Sequence, residues 1–217
     1  MDLSSTEIRV LGCLLEKQRT TPDHYPLSLN SLRLACNQST NREPVVQYEE
    51  ATIRDALDRL QRRGFTRLAG AGRAAKYRHL LAEALPMSSA EQAVMCVLML
   101  RGPQTPGELK QRGERIHPFA DLAEVHATLS ALIERELVAR LERRPGQKEE
   151  RYAHLLGDRE GAVDAPAQFA AVPAPTAAPT ATPYAPNGSA SAVDEDLRER
   201  VERLEREVAE LREVIQS

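Results

Sequence analysis

Between residues 54 and 78 the chain carries eight basic side chains, Arg54, Arg59, Arg62, Arg63, Arg67, Arg73, Lys76 and Arg78, against two acidic ones, Asp55 and Asp58. Cations at that density do one kind of chemistry well: they neutralise phosphates and release the counterions held along a duplex. The plainer alternative is a solvated helix face, because Arg59, Arg62 and Arg63 also suit the negative end of a helix dipole. Glu49 and Glu50, at the start of the same predicted helix, work against a phosphate field and tolerate only a cytosine edge. Residues 124–151, the corresponding stretch further on, hold six basic and six acidic residues and read as a surface for a protein partner.

Other chemistry lacks its parts. No phosphate-cradling glycine loop precedes a Lys-Ser or Lys-Thr, and there is no dinucleotide fingerprint, zinc-protease helix or nucleophile elbow. The five histidines are scattered, and His79 and His154 fall at matching places in two similar segments, which points to a shared packing role. Three cysteines, Cys13, Cys36 and Cys96, have no C-x-x-C spacing; Cys13 and Cys96 sit in apolar runs and read as buried thiols. The chain is therefore expected not to be an enzyme and to use no cofactor or metal. Two loops remain as candidates for contact. One contains Asn37, Asn41 and Arg42 ahead of Pro44, the other His117 ahead of Pro118, although such side chains as often satisfy their own backbone.

These residues are positioned by a chain that repeats itself. Ser4-x-x-Glu7 returns as Ser88-x-x-Glu91, and Tyr77 with His79 returns as Tyr152 with His154, at offsets of 84 and 75. The shifting offset places insertions between matching elements, as loops do, so the pattern reads as two tandem small units. Each opens with a capping box and an apolar run, followed by a short second helix and a third helix. The third helices are predicted over 50–63, with Ile53, Leu57 and Leu60 inward, and over 122–135, with Leu122, Val125, Leu129, Leu132 and Ile133 inward. Gly64 is placed to stop the first of them. A candidate β-hairpin follows each, through Phe65 to Arg78 and through Leu137 to Tyr152. Helix, helix, helix, hairpin is the winged helix-turn-helix order, and it occurs twice in register.

The expected fold is thus mainly α with small β-hairpins, an α+β class. It comprises winged helices over 1–85 and 86–157, a disordered Ala/Pro-rich linker over 158–193 and a coiled-coil helix over 194–217. In the last segment Leu197, Val201, Leu204, Val208, Leu211 and Ile215 are spaced 4, 3, 4, 3, 4, the seam of a homodimer. Net charge is −3 but unevenly spread: residues 1–86 hold 13 basic and 10 acidic side chains, residues 158–217 hold 6 and 12. The longest apolar run is too short to span a bilayer and no basic, apolar leader opens the chain, so no membrane partner and a cytoplasmic location are expected.

The string Cys36-Asn37-Gln38-Ser39-Thr40-Asn41-Arg42-Glu43-Pro44-Val45, with Arg115-Ile116-His117-Pro118-Phe119 later, resembles the bacterial YceH family over about residues 3–157. The resemblance implies a pair of winged helices, and DNA binding only by way of that domain type. It implies nothing for the linker and terminal helix. Two functions follow as expectations. One is a DNA-binding, transcription-regulator-like protein that reads duplex DNA through the third helix and wing of the first unit. The other is a protein-interaction scaffold without direct DNA contact.

Overall fold

The computed structural model describes residues 2–69, 75–143 and 149–157. Arg73, both hairpin tips, the linker and the heptad segment, including Leu197, Val201, Leu204, Val208, Leu211 and Ile215, lie outside the described residues. The fold is a mixture of helices with two small antiparallel sheets. Copy one runs α1 (Ser5–Thr20), a 3-10 turn (Pro22–His24), β1 (Leu27–Ser28), α2 (Leu29–Cys36), α3 (Glu50–Arg62), β2 (Thr66–Ala69) and β3 (Lys76–His79). A single turn, α4 (Leu81–Ala84), leads to copy two: α5 (Ser89–Arg101), α6 (Pro106–Gly113), α7 (Leu122–Glu134), β4 (Val138–Leu141) and β5 (Arg151–His154).

The helix starts follow from local chemistry. Ser4, Ser88 and Thr105 each accept the N–H of the glutamate three residues on, and Glu7, Glu91 and Glu108 return the bond to the cap's own N–H. Two donors that the helix cannot satisfy internally are thereby paired at each start. Gly64 ends α3 with φ +76°, the left-handed conformation that a residue without Cβ adopts freely. Copy two makes the same turn with Glu136 at φ 54°. The hydrogen bonds match: Phe65 N–H donates to the Leu60 carbonyl at 2.9 Å and Leu137 N–H to the Leu132 carbonyl at 2.9 Å.

One hydrophobic core runs through both copies. Every residue of α1 from Glu7 to Leu15 and of α5 from Gln92 to Leu100 is buried. An all-round apolar helix needs partners on every side, and α1 and α5 supply one another. They come close at Gly12, where a Cβ would stand 2.8 Å from Leu100 Cδ2, while Cys96 Sγ lies 3.6 Å from the Gly12 carbonyl. The unit is closed at its ends as well, by Leu3 N–H donating to the Leu156 carbonyl at 3.0 Å.

Copy one pairs three strands in the order β1-β3-β2, with Thr66 opposite His79 and Arg67 opposite Arg78. In copy two β4 pairs with β5, and Gln104 forms a lone bridge to Tyr152 where β1 would add an edge. Two positions correct the helical reading of 122–135: Leu122 and Ile133 are exposed, at 48% and 38%. Leu122 is the first residue of α7 and overhangs the core, and Ile133 lies about 100° around the helix from buried Leu132. Cys13, Cys36 and Cys96 are all free and buried.

Candidate nucleic-acid interface

Helix α3 buries Ile53, Ala56, Leu57 and Leu60 and turns the rest of its circumference to water. Arg54, Asp55, Asp58, Arg59, Arg62 and Arg63 share that outer surface. Its termini are unequal. Glu49 is the N-cap but makes no capping hydrogen bond, whereas Asp121, at the start of α7, accepts the Glu124 N–H at 2.9 Å. The start of α3 therefore lacks a side-chain cap and carries two exposed carboxylates, and Glu50 is tied to Arg54 at 2.6 Å.

The basic residues divide by what they hold. Arg59 Nε faces Glu7 Oε1 at 3.6 Å, too far for a hydrogen bond, and that buried oxygen has no other described partner. Arg63 donates to the Asp2 carbonyl at 2.7 Å, and Arg78 reaches Glu83 at 3.3 Å. Arg62, Arg67 and Lys76 are exposed and engage no described residue. Directly opposed residues of an antiparallel pair project to one face, so Arg67 and Arg78 set two like charges side by side. Glu83, 3.3 Å from Arg78, offsets part of that repulsion and leaves Arg67 as the cation of the pair that engages no described residue.

The loop candidates turn inward. Asn37 accepts the Tyr48 N–H at 2.8 Å and donates to the Tyr48 carbonyl at 2.9 Å, stapling the two ends of the α2–α3 loop. Arg42 is buried among Glu16 (2.5 and 3.2 Å), the Ala35 carbonyl (3.0 Å), the Asn41 carbonyl (2.8 Å) and Gln38 (2.9 Å). Burial opposes ionisation of Glu16, but the hydrogen bonds and charge of Arg42 prevail and hold its carboxyl below the ordinary range. Asn41, at φ 58°, accepts from Arg101 of copy two at 2.6 Å. His117 bridges Ser89 (3.2 Å) and Glu124 (2.8 Å) with its ring edge-on to Phe119. Arg9 is a residue that spacing and motif do not mark, yet it is buried and donates to the carbonyls of Cys36 (3.3 Å) and Pro44 (2.7 Å). Its place within the apolar run of α1 is the one signal that points to it.

The two matching histidines are structural. Leu81 N–H donates to His79 Nδ1 at 3.1 Å, and Leu156 N–H to His154 Nδ1 at 3.4 Å. In His79 the proton therefore sits on Nε2, 2.7 Å from Gln18 Oε1. Burial holds both rings down to about 4. Among the described residues no group of three His, Cys, Asp or Glu side chains is placed to hold a metal ion, and no helix is long and apolar enough to cross a membrane.

Comparison with known proteins places this geometry in a family. The family described as "Protein of unknown function, DUF480" matches residues 3–147. A UPF0502 protein of Pelobacter propionicus is 59% identical over 160 residues, covering 72% of this chain and 73% of its own. One from Geobacter metallireducens is 49% identical over 209 residues, covering 95% and 88%. One from Shewanella sp. strain MR-4 is 44% identical over 226 aligned positions, covering 100% and 97%. The last alignment covers the whole chain, so the linker and heptad segment fall inside its matched span. By these matches, and in keeping with the resemblance carried by the strings at 36–45 and 115–119, the chain belongs to the UPF0502 family.

Proposed function

We propose that the chain is a tandem winged-helix protein that contacts duplex DNA through α3 and the β2–β3 hairpin of copy one. The observation that carries this reading is the unneutralised charge of that surface: Arg62, Arg67 and Lys76 engage no described residue, whereas Arg78 is met by Glu83. In this docking α3 lies in the major groove and the hairpin follows the adjacent backbone. The 4-3-4-3-4 spacing between Leu197 and Ile215 supports a dimer, which sedimentation of the full chain beside a 1–193 truncation tests.

Duplex binding measured across a salt series decides the matter. Replacing Arg62, Arg67 and Lys76 with Ala should weaken binding and reduce the slope of log K against log salt by about 0.9 for each phosphate no longer neutralised. Changing Glu49 and Glu50 to Gln should tighten non-specific binding, because two carboxylates leave the phosphate field and Arg54 is released from Glu50. Absence of binding by the wild-type chain at low salt would sink the proposal. It would favour the scaffold reading, for which exposed apolar side chains on both copies, Leu34, Val45 and Leu68 on the first and Leu122 and Ile133 on the second, offer points of contact.

A further inference from the structure

A cleft at the junction of the two copies encloses about 60 Å³. It is bordered by Glu16 of α1 and Asn41 of the α2–α3 loop on one side, and by Arg101 of α5 with Arg112 and Arg115 from α6 and the turn after it on the other. Three guanidinium-bearing residues therefore line one concavity that neither copy forms alone. The volume admits a few water molecules or one small oxyanion.

Two of the surrounding carboxylates are already committed, and a third, Glu43, offsets part of the charge of Arg101. Glu16 holds buried Arg42 with both oxygens and also meets Lys17 at 3.3 Å. Glu108 is divided between Arg112 at 3.5 Å and Arg151 at 3.0 Å, and Arg112 otherwise donates to the neutral Gln104 side chain. Arg101 donates to the neutral Asn41, and Arg115 engages no described residue. The lining thus carries net positive charge, half-buried at Arg101 and Arg112 and exposed at Arg115, and a concave wall of one sign focuses the field. Burial, and then the charge of Arg112, push Arg101 below the ordinary guanidinium range, as expected for cations gathered without enough counter-charge. Guanidinium forks match the paired oxygens of phosphate and carboxylate groups.

We infer that this cleft binds a small oxyanion, the phosphate or carboxylate group of a diffusible ligand, with Arg101, Arg112 and Arg115 as its donors. Such a ligand touches both copies at once. Arg115 is the most informative position, because its side chain supports no described interaction and can be changed without loss of the fold.

Calorimetric titration of the full chain with inorganic phosphate, and separately with succinate, at constant ionic strength tests the assignment. Saturable binding is expected, weakened about tenfold or more by Arg115→Gln, since a hydrogen bond to a charged group is worth about 1.5–3 kcal/mol. Arg101→Lys, which keeps the charge and removes the fork, should weaken binding less, and Arg62→Gln on the α3 surface not at all. Tighter phosphate binding assigns a phosphorylated ligand and tighter succinate binding a dicarboxylate; either supports the site. Equal affinities in wild type and Arg115→Gln, or no saturable heat with either anion, would overturn it. The titration contains no duplex, so its result stands apart from that of the DNA measurements.

Discussion

The two copies share a plan and have spent it differently. In copy one the loop before the third helix is built around a buried arginine, the helix start lacks a side-chain cap, and the outer surface carries most of the cations. In copy two the equivalent loop turns on partly exposed His117, Asp121 caps the helix, and the stretch 124–151 balances six basic residues with six acidic ones. Copy two obeys local rules at the cap where copy one breaks them, and departures from local consistency gather where a surface has work other than stability to do. The reverse holds at the turn after the helix, where copy one has Gly64 and copy two the less comfortable Glu136.

The largest difference to break is the loop. Arg42→Ala removes the buried partner of an ion pair and leaves Glu16 with Lys17 alone and two backbone carbonyls unanswered, a destabilisation of about 3 kcal/mol. His117→Ala should cost far less, because its partners Ser89 and Glu124 remain within reach of water. Urea unfolding of the two variants checks this, and equal destabilisation would erase the contrast between the loops.

The histidines test where the copies agree. The folded protein keeps His79 and His154 neutral down to about pH 4, whereas an unfolded chain protonates them near the ordinary 6.5. Their stabilisation is therefore complete above pH 6.5 and is lost as pH falls from 6.5 towards 4, on the order of 3 kcal/mol for His79. Melting temperature should drop through that window, and His79→Gln should flatten part of the drop. A profile unchanged by that substitution would remove His79 from the cause.

The smallest expected effect sharpens the turn. Gly64→Ala forces a Cβ into the left-handed region and should cost about 1 kcal/mol, while Glu136→Gly relieves the same strain and should gain a few tenths to about 1 kcal/mol. Opposite signs in thermal unfolding are the expected outcome. Like signs would show that the two turns are not equivalent.

Much of this is legible in the residues. The capping boxes at Ser4 and Ser88, the stop at Gly64 and the two hairpins follow from short-range chemistry, and each is found where spacing puts it. Strand β1 and helix α4 leave no such mark, because two residues and a single turn carry no period. The apolar circumference of α1 and α5 announces helices surrounded by others but not that each surrounds the other, since pairing between distant segments leaves no periodic trace. Arg42 shows the same limit at the site. Its bonds to the Ala35 and Asn41 carbonyls are the local backbone role that its loop suggests, whereas its pairing with Glu16, 26 residues away, leaves no trace in the spacing. The exposed cations of α3 and β3 are legible because nothing distant claims them.

The close approach at Gly12 and Cys96 has a mechanical meaning. Copies joined only by chain would behave as two beads, each bringing its surface to a target at a local concentration set by the tether. Copies welded along α1 and α5 form a caliper instead. The span between the outer surface of α3 and that of α7 is a fixed dimension of the molecule, so a target that is to meet both must already have the matching spacing.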